Sequence, residues 1–185
     1  MIKFFDFNIH PNLNYLQKNS LSSQVSSELE SSEEDLILTF SEFYRELSKE
    51  IKANLEGFNI MIFSDFFESN PEKLYSFTEK IRKVFSQSSI KISITILINP
   101  RISNYKKIIE NCVLSSVNFI KFHCYHQQID KSLFKNCLKI AKNAEDNNIG
   151  ICIDTSFGTK GLYKYDNLRL ASEIFEEIEK VTVVL

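Results

Sequence analysis

The chain has 185 residues and a net charge of −2, which suits one domain with its own core and argues against a basic nucleic-acid surface or an acidic solvated tail. No apolar run nears the ~20 residues that cross a bilayer. No basic stretch leads into an apolar one as in a secretory leader, so a cytoplasmic protein without a membrane partner is expected.

The first apolar run, Ile2–Ile9, reads as a strand, with Asp6, Asn8 and His10 at alternate positions ahead of Pro11. In an unbroken strand these three share one face and Phe5, Phe7 and Ile9 the other. Residues 14–35 form a long loop, dense in Ser and Glu from Ser20 to Glu34. It is either a solvated insertion or a lid over the strand ends. A helix is expected over Leu36–Leu55, with Leu36, Phe40, Phe43, Leu47, Ile51 and Leu55 on one stripe. Strand Asn59–Ser64 runs into Asp65. Asn70 and Pro71 suit the N-cap and first position of a helix over Pro71–Phe85. Strand Lys91–Ile98 ends in Asn99-Pro100-Arg101, and a short helix covers Asn104–Leu114. Strand Asn118–His123 carries Lys121 and His123 on one face, with Tyr125 continuing the alternation. Asp130 is a candidate cap for a helix over Lys131–Asn147. Strand Gly150–Asp154, helix Asp166–Glu179 and strand Val181–Leu185 follow.

Strands and helices alternate, and several strands are near-continuous apolar runs, the pattern of parallel strands covered on both faces. An incomplete (β/α) TIM-type barrel of about six parallel strands and an open doubly wound sheet both satisfy it. The barrel is favoured because polar residues gather where apolar runs end, as at the C-terminal ends of barrel strands. The four cysteines, Cys112, Cys124, Cys137 and Cys152, form no CxxC pair and sit in apolar patterns, so buried reduced thiols are expected.

Several strand ends offer chemistry. Asn8 and His10 have the spacing to chelate one metal from a strand end; the alternative for His10 is loop packing or capping. Lys121 suits a carboxylate or phosphate partner, a polarised carbonyl, or a structural ion pair. Asp154 suits a metal ligand, a base, or a cap of the following turn. Residues 157–161 hold two of the four glycines but lack the Lys-Ser/Thr ending of a P-loop.

In order along the chain, these pieces resemble the amidohydrolase superfamily, in its amidohydrolase-related group of metal-dependent hydrolases and decarboxylases. Asp6-Phe7-Asn8-Ile9-His10-Pro11 is similar to the group's opening Asp-x-His-x-His strand. Phe119-Ile120-Lys121-Phe122-His123 resembles its fourth strand, and Ile149-Gly150-Ile151-Cys152-Ile153-Asp154-Thr155 its fifth. Residues 165–185 resemble the segment leading into its sixth strand. The departures are Asn8 and Asp154 where the family has histidines, and an end at Leu185 before the sixth-strand histidine and the last two strands. The resemblance implies a single barrel domain over 1–185 that lacks those strands. It implies a divalent metal, zinc or similar, held by Asn8, His10 and Asp154, with Lys121, His123 and Asp154 as catalytic residues. The implied activity is hydrolysis of a C–N or related carbonyl bond, or decarboxylation of a small carboxylated compound, weakened or lost in a truncated, degenerate chain. Two alternatives stand beside it: a non-catalytic partner subunit on the same scaffold, associating as a homo-oligomer or through unpaired barrel edges, and a metal-free binder of phosphorylated or sugar-like ligands using Lys121, Arg101 and the Gly158–Gly161 loop.

Overall fold

A computed structural model of the chain describes residues 4–9, 54–86, 89–124, 127–154, 167–178 and 181–184, with the first and last strands as backbone alone. Four strands, β2 (Leu55–Phe63), β3 (Lys91–Leu97), β4 (Phe119–Phe122) and β5 (Gly150–Asp154), pair in parallel in that order. Backbone pairing extends the sheet with β1 (Phe4–Ile9) beside β2 and β6 (Val181–Val184) beside β5, leaving β1 and β6 as its two edges. Between the strands lie α1 (Lys73–Phe85), α2 (Tyr105–Leu114), α3 (Phe134–Asp146) and α4 (Asn167–Phe175).

Every strand neighbours the one before it in sequence, with no reversal of order. A doubly wound sheet requires such a reversal, so that alternative is excluded for the described strands. Crossovers of one hand that all step the same way leave their helices on one face. Consistent with this, α1 packs on α2, α2 on α3, and α3 on α4.

The apolar spacing explains which faces meet. Leu74, Phe77, Ile81 and Phe85 of α1 recur at three- and four-residue intervals, and so do Phe134, Cys137, Ala141 and Ala144 of α3. These stripes join Phe58, Ile60 and Ile62 of β2, Ile94 and Ile96 of β3, Ile120 and Phe122 of β4, and Ile151 and Ile153 of β5 in one core. The alternate residues of the same strands face the other way. Among them Asn59, Met61, Thr95, Leu97, Lys121 and Cys152 are buried too, so both faces of the central strands are covered, as the apolar runs predict. All four cysteines are free and buried, as expected.

Two helix ends set the entry of β4 and β5. After α2, Ser116 has φ 50°; its N–H donates to Val113 O at 3.0 Å and that of Val117 to Cys112 O at 2.9 Å. After α3, Asn148 has φ 60°, and the N–H groups of Asn148 and Ile149 donate to Glu145 O at 2.8 Å and Ala144 O at 2.9 Å. Both are Schellman closures made without glycine, each delivering a buried apolar residue, Val117 or Ile149, to the start of a strand. Gly150 is required for a different reason: a Cβ there would lie 2.5 Å from Phe119 Cδ1, on its register partner across the β4–β5 ladder.

Some boundaries differ from expectation. Leu55 opens β2 rather than closing a helix, and the rest of the expected helix, like loop 14–35, lies outside the described residues. Asn70 is not the cap of α1, which starts at Lys73 after Glu72 with no side-chain cap. Asp130 does cap, accepting from Ser132 N at 3.0 Å, although a short 3-10 turn at Lys131–Leu133 precedes α3. In β1 the register shifts between Phe4 and Phe5 and again between Asp6 and Ile9. His10, the last of the three alternating polar residues, lies outside the described residues.

Candidate functional site

Parallel strands bring all their C-terminal ends to one edge, and polar side chains join those ends laterally. Ser64, just after β2, accepts from Asn99 N at 2.9 Å through its Oγ. Asn99, beyond β3, donates its amide to Asp65 Oδ1 at 3.2 Å and accepts from Arg101 N at 3.1 Å. Gln127 links β3 to β4: its Nε2 donates to Ile98 O at 2.6 Å and its Oε1 accepts from His123 N at 2.8 Å. Its own N–H donates to His123 O at 2.9 Å. The Arg101 guanidinium holds the same turn, donating to Gln127 O and Gln128 O, both at 2.8 Å. Gln128 sits at φ 52°, so two charge-assisted bonds secure a turn in an unfavourable backbone region.

At the far end of this rim lie Lys121, His123 and Asp154. Lys121 pairs in register with Cys152 of β5. Its side chain reaches to the next residue on that face, and Nζ lies 2.8 Å from Asp154 Oδ2. The Lys121 side chain is 2% exposed and that of Asp154 12%. A charge so buried persists only beside a partner. His123 Nε2 stands 3.8 Å from the same Asp154 oxygen and is 21% exposed, a charge-pair distance rather than a direct hydrogen bond. The three form a gradient from a buried cation, through a shared carboxylate, to an imidazole near the surface. Cys152, beneath them, is held as a thiol: burial pushes it up to about 12 and the Lys121 ammonium pulls the other way.

The three residues expected to be catalytic thus meet in space, two on β4 or its end and one on β5. Of the expected metal ligands, only Asp154 has a described side chain. His10 lies outside the described residues, and Asn8 is described only as part of the β1 backbone. Along the sheet, β1 and β5 are separated by β2, β3 and β4, four strand spacings or on the order of 19 Å. Only a sheet curled into a barrel brings Asn8 to Asp154. At Asp154 itself, Oδ2 is already in contact with the Lys121 ammonium. Among the described residues no group of three His, Cys, Asp or Glu side chains is placed to hold a metal, and a carboxylate neutralised by an ammonium is a poor donor for one. The one expected ligand whose side chain is described, Asp154, is engaged by Lys121.

Arg101, weighed as an anion-binding residue, spends its guanidinium on two backbone carbonyls. The Gly158–Gly161 loop lies outside the described residues. Gln127 carries no sequence signal beyond standing four residues after His123, and its position is visible only once β3 and β4 are adjacent. Comparison of the chain with protein-family models and with curated proteins gives no match.

Proposed function

We propose that this chain is an amidohydrolase-related protein of (β/α) TIM-barrel type whose site lies at the C-terminal ends of β4 and β5 and acts on a small carbonyl or carboxylated compound. The observation that carries this is the Lys121–Asp154–His123 cluster at adjacent parallel strand ends, where β/α barrels place their chemistry. The sequential strand order and the burial of both faces of β2–β5 support the barrel-type architecture.

In this reading Lys121 directs its ammonium at the substrate's oxygen and stabilises the charge that develops there. Asp154 holds the ammonium in place. His123, at the solvent side, exchanges the proton that bond cleavage requires. A divalent metal, if bound through Asn8, His10 and Asp154, would supply Lewis-acid polarisation and an activated water; the neutralised state of Asp154 speaks against that carboxylate as its ligand, and no step here depends on it.

A non-catalytic binding role on the same scaffold is favoured by one specific observation: Lys121 and Asp154 satisfy each other's charge, as a purely structural pair would. Both roles are tested by presenting the full chain with N-acyl amides, lactones and carboxylated ring compounds, following product release and thermal protection. Turnover lost in His123→Ala supports the enzyme. Saturable protection without turnover supports the binder. Neither, in a well-folded protein, sinks the proposal.

A further inference from the structure

The geometry points to a chain-borne substitute for metal charge: we infer that the Lys121 ammonium occupies the cation position at Asp154, and that the site draws a carbonyl or carboxylate oxygen without a metal on that carboxylate. This rests on the reading above for where the site is, and goes beyond it in saying what provides its positive charge.

Three features carry the inference. First, the contact is direct, at 2.8 Å. A metal on Asp154 Oδ2 would sit about 2.0–2.2 Å from that oxygen, and so within a few ångströms of a full ammonium. Second, the ammonium cannot retreat cheaply. Lys121 belongs to the body of β4, between paired neighbours, and its side chain is 2% exposed. Like charges that close, and that poorly screened, repel strongly. Third, His123 is another donor in the cluster, with Nε2 3.8 Å from the same oxygen. Removing the ammonium would leave an imidazole and a carboxylate facing a space that had held a cation, which is a divalent-metal half-site.

The test compares metal content and metal affinity in the full chain. Wild type, Asp154→Asn and the charge-neutral double variant Lys121→Met/Asp154→Asn are purified with equimolar zinc, and bound metal per chain is measured by elemental mass spectrometry. The double variant guards against the single one failing to fold, because it removes both buried charges together. Metal content is expected to be the same in all of them. Cobalt(II), followed by its absorption, is then titrated into wild type and Lys121→Met, and at least a tenfold tighter association is expected in the variant. About one metal per chain in wild type that disappears with Asp154 would overturn the inference, as would a folded Lys121→Met that takes cobalt no better than wild type. The broader small-molecule reading fails separately, through loss of ligand protection and turnover, and neither outcome of the metal comparison depends on those.

Discussion

Breaking the Lys121–Asp154 pair one partner at a time, and then both together, separates a buried functional charge pair from an incidental contact. At 2.8 Å the direct attraction is about 6 kcal/mol for an effective dielectric constant near 20. Desolvation of side chains only 2% and 12% exposed consumes much of that, so the intact pair adds little net stability. The asymmetry lies in the single variants. Lys121→Met takes the ammonium from a carboxylate beside Cys152 and His123, and Asp154→Asn takes the carboxylate from the more deeply buried side chain of the two. Each is expected to cost about 3–5 kcal/mol, or roughly 6–20 °C in Tm for a domain of this size. The double variant is expected to recover most of the loss, giving a coupling energy of about 3 kcal/mol or more, far above the ~0.5 kcal/mol error of additivity. Urea denaturation with matched m-values measures all four proteins. Single variants within ~1 kcal/mol of wild type, with a double variant equal to their sum, would refute the claim that this pair is buried and mutually dependent.

Gly150→Ala places a methyl group 2.5 Å from a Phe119 ring carbon and is expected to cost about 1–3 kcal/mol as overpacking, read from the urea midpoint; an unchanged midpoint would show that the ring moves freely. Gln127→Ala removes the bonds to Ile98 O and His123 N, so a loss of about 1–3 kcal/mol and faster amide exchange at His123 are expected, with Gln127→Glu restoring the bond to His123 N but not the one to Ile98 O. Burial pushes the Cys112 and Cys152 thiols up from 9.0 to about 12 and raises Cys137 as well. The folded state therefore keeps protons that the unfolded chain gives up: stability is full below pH 9, falls as pH rises towards 12, and falls less steeply in Cys112→Ala, which a pH series of urea melts would show. The same burial predicts that these thiols resist alkylation at pH 8 until the chain is unfolded, and rapid labelling of the native protein would contradict it.

The alternation of apolar strands and amphipathic helices was legible because burial on both faces leaves an unmistakable pattern, as in Ile94–Ile98 and Ile149–Ile153. Strand order was not legible. A repeating βα pattern is compatible with sequential or reversed order, and only the crossovers' common direction decides between them. Boundaries shifted where a turn or strand pairing competed with the helical signal. Asn70-Pro71 looks like a helix start, yet the Asn70 and Pro71 carbonyls accept from Lys73 N and Leu74 N in a preceding turn. Leu55 fits the period of the helical stripe before it, but its backbone is drawn into the ladder beside Phe4. Ser116 and Asn148 hold left-handed positions where a glycine would have announced a helix end.

The site divides along the same physical line. Lys121, His123 and Asp154 could be read because a charged or titratable residue at the end of an apolar strand is costly to place there without a partner, and each supplied part of that partnership. That they would meet came from the resemblance and not from the residues alone, since β4 and β5 become neighbours only through the helix that separates them in sequence. Arg101 shows the opposite failure. A lone arginine after Asn-Pro at a strand end looks available for an anion, but the turn at Gln127 and Gln128 leaves two carbonyls without ladder partners, and the guanidinium's planar fork answers both. What the turn gains is a fixed His123, because Gln127 in that turn binds the histidine's backbone on both its N–H and C=O sides. The backbone from which the imidazole projects towards Asp154 is thus held by Gln127 and, through the turn, by Arg101. A change at Arg101 should accordingly alter what His123 does before it alters how stable the sheet is.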